Sequence, residues 1–383
     1  MFIADKNEIR KYYTENRIWQ GIPSIEVTAK GRMFVTFYSG GTTEEIGNYS
    51  MIVVSDDGGK TFGEPIGVAY EDNYRHFDPC LWIDPDGRLW FTYTKFPDDG
   101  LYAVICDNPD ADEIVFGEEF FVGRDVMMNK PVVLKTGEWA FPIAAWDWRL
   151  AANFPGFGMD NPDKGSYVYT TSDNGKTFVK RGCAQIEDRS FDEHMLLEMK
   201  DGILRMFVRG ERGIIYASDS KDGGYTWSDG FDSGFRGPTS RFHITRLKSG
   251  RVLFVNHYEF TGRNNLYAML SEDDGQTFPY KLLLDERDDV SYPDAKEGDD
   301  GYVYITYDRD RGCHKKSFDE AKVCAREILV AKITEEDIIK GCVEDKRSYL
   351  KQVVSKLGEY NGNPEELYAK TSEWKDLETG KIK

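Results

Sequence analysis

Ser55-Asp56-Asp57-Gly58-Gly59-Lys60-Thr61-Phe62 is the stretch on which the fold turns, because it comes back three times. It returns as Thr171-Ser172-Asp173-Asn174-Gly175-Lys176-Thr177-Phe178, as Ser220-Lys221-Asp222-Gly223-Gly224-Tyr225-Thr226-Trp227 and as Ser271-Glu272-Asp273-Asp274-Gly275-Gln276-Thr277-Phe278. The starts lie 116, 49 and 51 residues apart, so the wide first gap spans two units, one of which has lost its octet. The octet has the chemistry of a tight hairpin. Asp accepts from backbone N–H groups, Gly takes the positive-φ position, and the aromatic tucks between neighbouring sheets.

A second signal keeps the same register. A turn glycine followed by an alternating apolar run occurs at Gly31 (RMFVTFY), Gly87 (RLWFTYT), Gly137 (EWAFPIA), Gly202 (ILRMFVR), Gly250 (RVLFVNH) and Gly301 (YVYITYD). The spacings are 56, 50, 65, 48 and 51 residues. A short apolar run precedes these glycines, as in Ile25 to Thr28 or Met195 to Met199. Units of strand, turn, strand and third strand into an octet describe the blades of a propeller. The expectation is an all-β, six-bladed β-propeller over residues 1–333, with the six glycines in equivalent turns. Residues 334–383 are expected to form a short helical C-terminal tail, from Thr334 to Lys340 and from Glu344 to Leu357. Such a tail packs outside a blade or mediates self-association, which makes a homo-oligomer a candidate assembly. The long insertion from Trp146 to Gly165 is rich in aromatics and suits the rim of a binding site.

The 383 residues carry 40% hydrophobic and 14% aromatic side chains, ample for a core and too apolar for disorder. Lys plus Arg is 49 against 67 for Asp plus Glu, a net charge of −18, which argues against a nucleic-acid or anionic-membrane surface. An anionic ligand must therefore meet locally clustered arginines. No stretch approaches the ~18 apolar residues of a membrane span, and Met1 to Gln20 is too charged for a secretory signal, so a cytoplasmic location is expected. The six cysteines show no CxxC spacing and read as reduced thiols. No metal-ligand spacing, phosphate-cradling glycine loop, nucleophilic Ser motif or dinucleotide fingerprint is present, so no metal or other cofactor is expected.

In a propeller the innermost strands ring the axis and their leading ends meet at one mouth. Those ends read Trp19-Gln20-Gly21, Arg75-His76-Phe77-Asp78, Met128-Asn129-Lys130, Asp192-Glu193-His194, Thr239-Ser240-Arg241 and Ser291-Tyr292-Pro293-Asp294. Crowding so many charges at one mouth costs desolvation unless they pair or bind a ligand. A histidine beside carboxylates there can titrate near neutrality, which makes His76 and His194 candidates for proton transfer or substrate binding.

The octets, the propeller and several of these positions together resemble the sialidase (neuraminidase) superfamily, whose Asp boxes match the four octets. The resemblance covers nearly the whole chain to about Ile333. It implies a glutamate opening the inner strand of a middle blade and an arginine closing the next strand, matched by Glu193 and Arg209. It implies a second arginine before the strand into a late Asp box, matched by Arg263, and a nucleophilic tyrosine opening the last blade, matched by Tyr292. Sialic acid carries a carboxylate on its anomeric carbon, which guanidinium groups clamp and a carboxylate nucleophile would repel. A tyrosine deprotonated by a glutamate avoids that repulsion.

Two features depart from the family. Sialidases place a third clamp arginine just before Ile-Pro in blade 1, whereas this chain reads Gln20-Gly21-Ile22-Pro23. The family's acid/base aspartate on the blade 1 loop has no match in SGGTTEEIGNYS, where Glu44 and Glu45 occupy the region. Arg75, Lys130 or Arg241 is then expected to supply the missing charge, with Gln20, Asp192 and His194 completing the substrate contacts and His76 or Asp78 acting as the acid. The resulting expectation is an exo-acting glycoside hydrolase for a sialic-acid-like or other acidic sugar. The alternatives are a polysaccharide lyase acting beside a uronate carboxylate and a glycan-binding propeller without catalysis.

Overall fold

Six runs that open on a turn glycine pair with their neighbours into six antiparallel sheets in the computed structural model, which describes residues 1–41, 44–96, 100–146, 163–311 and 324–360. Each sheet uses four consecutive strands, and a short strand, Phe2–Ile3, adds a fifth to the outer edge of the first. The architecture is a six-bladed β-propeller with almost no helix. The six turn glycines all lie between the first and second strands of their blades, at φ of 80–89°. Each donates its N–H to the carbonyl three residues back. A Cβ at any of them would meet nothing within 4 Å, so glycine is required for its backbone conformation and not for space.

The Asp boxes join the third strand to the fourth in blades 1, 3, 4 and 5. In the first, Asp57 accepts from Thr61 N at 3.0 Å, from Thr61 Oγ1 at 2.7 Å and from Ser55 Oγ at 2.8 Å, while Gly59 N donates to Ser55 Oγ. In blade 6 the same connection is a short α-helix, Glu335–Lys340, opened by a reciprocal cap between Thr334 and Asp337.

One apolar cluster fills each gap between adjacent blades. Trp82, Trp90, Trp139 and Phe141 fill the gap between blades 2 and 3, and Met195, Phe207, Val252 and Phe254 the gap between blades 4 and 5. The box aromatics Phe62, Phe178, Trp227 and Phe278 pack against these clusters. Among the described residues the ring closes without strand exchange. Gln20 Nε2 donates to the carbonyls of Arg326 and Ser355, Arg326 Nη1 to Ile18 O, and Ile22 N to Asp308 Oδ2.

The helical expectation for Glu344 to Leu357 is corrected. Tyr349–Lys356 is the fourth strand of blade 6, paired with Glu327–Ile333, so the propeller runs past residue 333. The open edge of Glu327–Ile333 captures the segment, and Lys351 at φ 57° breaks the alternation that would have announced a strand. Residues 361–383 and most of the 146–165 insertion lie outside the described residues. Five cysteines are free thiols, with Cys80, Cys106 and Cys324 buried, while Cys313 lies outside the described residues. No helix among the described residues is long and apolar enough to cross a membrane.

Candidate active site

The innermost strands of blades 1, 2 and 6 are long, Trp19–Val27, Arg75–Ile83 and Val290–Glu297, and a register shift interrupts each. At every shift the residue before a proline has positive φ: Ile22 at 56°, Asp78 at 48° and Tyr292 at 54°. The inner strands of blades 3 to 5 are short, Val132–Val133, Met195–Glu198 and His243–Arg246, and irregular segments before them build the mouth. There Phe191, Asp192 and Glu193 take positive φ in succession. Such backbone costs about 1–3 kcal/mol per residue and persists only where the surroundings over-determine it. Asn129 supplies part of that determination, donating through Nδ2 to the carbonyls of Glu193 and His194 at 2.8 and 3.0 Å.

These strained positions converge. The Tyr292 hydroxyl donates to Glu193 Oε1 at 2.8 Å, and Arg209 Nη1 donates to the same Oε1 at 2.5 Å and to the Tyr292 hydroxyl at 3.0 Å. Arg209 Nη2 and Arg263 Nη2 both donate to Thr239 O, at 3.0 and 2.9 Å. The guanidinium of Arg263 lies 5.4 Å from the centroid of the Tyr292 ring. Glu44 bridges two more arginines, Arg311 at 3.0 Å and Arg75 at 3.1 Å.

Electrostatics separates the acids. Burial raises Asp78 to about 8; Arg75 opposes the rise, and the charges of Glu44 and Glu193 add to it. Asp78 Oδ2 is buried and accepts no hydrogen bond from the described residues. Burial would also raise Glu44, but Arg311 and Arg75 outweigh it and hold Glu44 below the usual carboxylate range. Asp78 therefore keeps its proton at neutral pH while Glu44 is ionised. Burial and then the Glu193 charge raise the Tyr292 phenol, with Arg209, Arg263 and Arg311 opposing.

The other sequence-predicted residues lie elsewhere. Lys130 and Arg241, expected at the sugar, plug the axis: Asp294 takes Lys130 at 3.1 Å, Arg241 at 3.2 Å and His243 at 3.1 Å, and Glu26 takes Lys130 at 3.0 Å. The four buried charges Asp294, Glu26, Lys130 and Arg241 are thus paired with one another. Gln20 belongs to the ring closure. His76 stacks on Tyr93 with centroids 5.5 Å apart, and burial holds its pKa well below the usual histidine value. Asp192 is occupied by Arg189 at 3.0 Å and Ser166 at 2.9 Å. His194 bonds Tyr167 O at 2.7 Å, yet lines a cleft beside Glu193. Arg75 reaches the site through Glu44 and stands over Phe77 at 4.2 Å.

That cleft is small, about 10 Å³, and Val126, Met128, Pro142, Ala144, Trp146 and Phe191 form its apolar wall. Sequence reasoning missed Arg311, Asn129 and the bridging role of Glu44. One signal was available. The seventh residue after each turn glycine lies near the end of its second strand, at Tyr38, Thr94, Ala144, Arg209, His257 and Asp308, and Arg311 follows closely in blade 6.

A family described as a BNR repeat-like domain matches residues 110–305. No curated protein matches the chain in sequence. Among solved structures, a protein of unknown function from Dyadobacter fermentans is 20% identical, with 76% of this chain and 91% of that one covered, at a TM-score of 0.60. A point mutant of the NanB sialidase from Streptococcus pneumoniae is 13% identical, with coverages of 85% and 70% and a TM-score of 0.63. Trypanosoma rangeli sialidase with 2,3-difluorosialic acid, described as a covalent intermediate, is 15% identical, with coverages of 77% and 53% and a TM-score of 0.59. At these identities the likeness shows a shared fold.

Proposed function

The chain belongs to the BNR repeat-like domain family, on a propeller of the sialidase type, and from that premise we propose that it is an exo-acting glycoside hydrolase for sialic-acid-like or other acidic sugars. The observation that carries the reading is the contact between Tyr292 and Glu193. They come from blades 6 and 4, 99 residues apart, so ring geometry and not local packing brings them together.

Glu193 takes the phenolic proton as Tyr292 Oη attacks the anomeric carbon, and Arg209 stabilises the phenolate as it forms. Asp78, protonated at neutral pH, gives its proton to the departing aglycone oxygen. Water then displaces the tyrosine from the sugar, giving its proton to Asp78 while Glu193 returns the phenolic proton to Tyr292, and the configuration is retained. Arg209 and Arg263, which share Thr239 O, hold the substrate carboxylate.

The test is a screen of chromogenic sialosides, deaminated (Kdn-type) sialosides and uronate glycosides. Release of the chromophore from an acidic glycoside supports the reading. Absence of turnover on all of them defeats it, and a near-ultraviolet double-bond product would assign elimination instead.

A further inference from the structure

Tyr292 and Glu193 are joined twice, once at their side chains and once by way of the axis. Tyr292 lies in the register shift between Ser291 and Asp294, so Asp294 continues the strand that carries the phenol. Arg241 Nη2 stands 3.2 Å from Asp294 Oδ1, and the same guanidinium donates through Nε to Asn129 Oδ1 at 2.7 Å. Asn129 Nδ2 in turn donates to the carbonyls of Glu193 and His194 at 2.8 and 3.0 Å. Asp294, Arg241 and Asn129 are at most 1% exposed and come from blades 6, 5 and 3, while Glu193 belongs to blade 4.

The chemistry of each link fixes its direction. A guanidinium can only donate, so the end of the Asn129 amide that meets Arg241 is the oxygen. Both Nδ2 hydrogens are thereby turned to the two carbonyls, one apiece. Those carbonyls close the segment Phe191 to Glu193, whose three residues hold φ of 43–56° in succession and need outside partners to do so. Arg209 N meets the carbonyl between, donating to Asp192 O at 3.0 Å.

We infer that Asn129 and Arg241 are positioning residues for the reaction: with Asp294 they tie the Tyr292 strand to the Glu193 backbone and so set the distance between the phenol and its base. The inference rests on the hydrolase reading above, in which Glu193 takes the phenolic proton. The axial charges then serve the chemistry as well as the fold.

The experiment compares Asn129→Ala and Arg241→Lys with the wild-type full chain. The substrate is whichever of a nitrophenyl sialoside, a nitrophenyl Kdn-type sialoside and a nitrophenyl glucuronide the wild type turns over fastest. Asn129→Ala releases both carbonyls. Arg241→Lys keeps a charge beside Asp294 and loses the planar fork that aims Asn129. Misplacing a reacting group by about 1 Å costs about 100-fold, so kcat should fall by about 100-fold in Asn129→Ala and by a smaller factor in Arg241→Lys. KM should stay close to the wild-type value in both, because what is lost is felt only in the transition state. The unfolding midpoint is read beside the kinetics, since a merely structural pair would lower the midpoint and leave kcat of the folded enzyme unchanged. Full kcat in either folded variant, a KM that rises in proportion to the fall in kcat, or loss of the fold in both variants overturns the inference while leaving the hydrolase reading intact. A wild-type chain that hydrolyses none of the three glycosides overturns both.

Discussion

Arg209 Nη1 stands 3.0 Å from the Tyr292 hydroxyl while the same nitrogen donates to Glu193, so the phenol accepts from a cation and donates to a carboxylate at once. That triangle is what a buried phenol needs to act as a nucleophile. The carboxylate removes the proton, and the cation offsets the charge that burial would otherwise penalise.

Tyr292→Phe removes one oxygen and keeps the ring under Arg263 and Arg311. Turnover should drop by several orders of magnitude with little change in melting temperature. Steady-state kinetics beside a thermal melt checks this, and near-full activity would move the chemistry to Asp78.

Arg209→Ala and Arg263→Ala should differ. Arg209 is a buried partner of Glu193, so its loss strands a carboxylate and should cost about 3–5 kcal/mol of stability as well as binding. Arg263 is only half-buried and donates to a backbone carbonyl, so its loss should weaken substrate binding and leave the unfolding midpoint nearly unchanged. Denaturant titration of both variants separates the two cases.

Asp78 at about 8, against 3.8 for an ordinary aspartate, gives two pH signatures. Activity should fall as pH rises through about 8, because the acid loses its proton. The folded chain keeps this proton while an unfolded aspartate releases it, so between about 3.8 and 8 this group makes stability fall with rising pH, and above 8 its contribution levels off. Asp78→Asn should remove both signatures. Its rate loss should be about 10²–10⁴-fold on unactivated aglycones and small on nitrophenyl glycosides, whose leaving groups need no acid. Equal losses on both would remove Asp78 from the acid role.

Asp294 anchors Lys130, Arg241 and His243 on the axis. Asp294→Ala leaves Lys130 and Arg241 without their shared partner and should cost about 3–5 kcal/mol, a large share of the roughly 5–15 kcal/mol that holds a domain together. A loss below about 1 kcal/mol in urea unfolding would contradict the structural role assigned to this cluster.

The repeats were legible because an Asp box and a positive-φ glycine make their turns from local residues alone, so the period of the blades survives in the chain. Glu193, Arg209, Arg263 and Tyr292 were legible through resemblance, each being tied to a strand end that the repeat phasing locates. Lys130 and Arg241 were misplaced because charge at the mouth and charge on the axis look alike along a strand. Only the placing of Asp294 between them shows that these cations are already paired. Arg311 was hidden for the opposite reason. Its stem fills the space beside Gly21, 290 residues away in sequence, and no local pattern records an empty space. The strand Tyr349–Lys356 was hidden by Lys351, whose left-handed backbone interrupts the period of two.

The central claim is that Tyr292 attacks the sugar. The most direct test is the intact mass of the protein after incubation with a 2,3-difluorinated sialic acid, followed by peptide mapping. The account predicts one added sugar, carried on the tyrosine of the peptide containing Val290 to Glu297 and absent from Tyr292→Phe. A chain that hydrolyses sialosides yet gains no mass, or gains it on another residue, would contradict it.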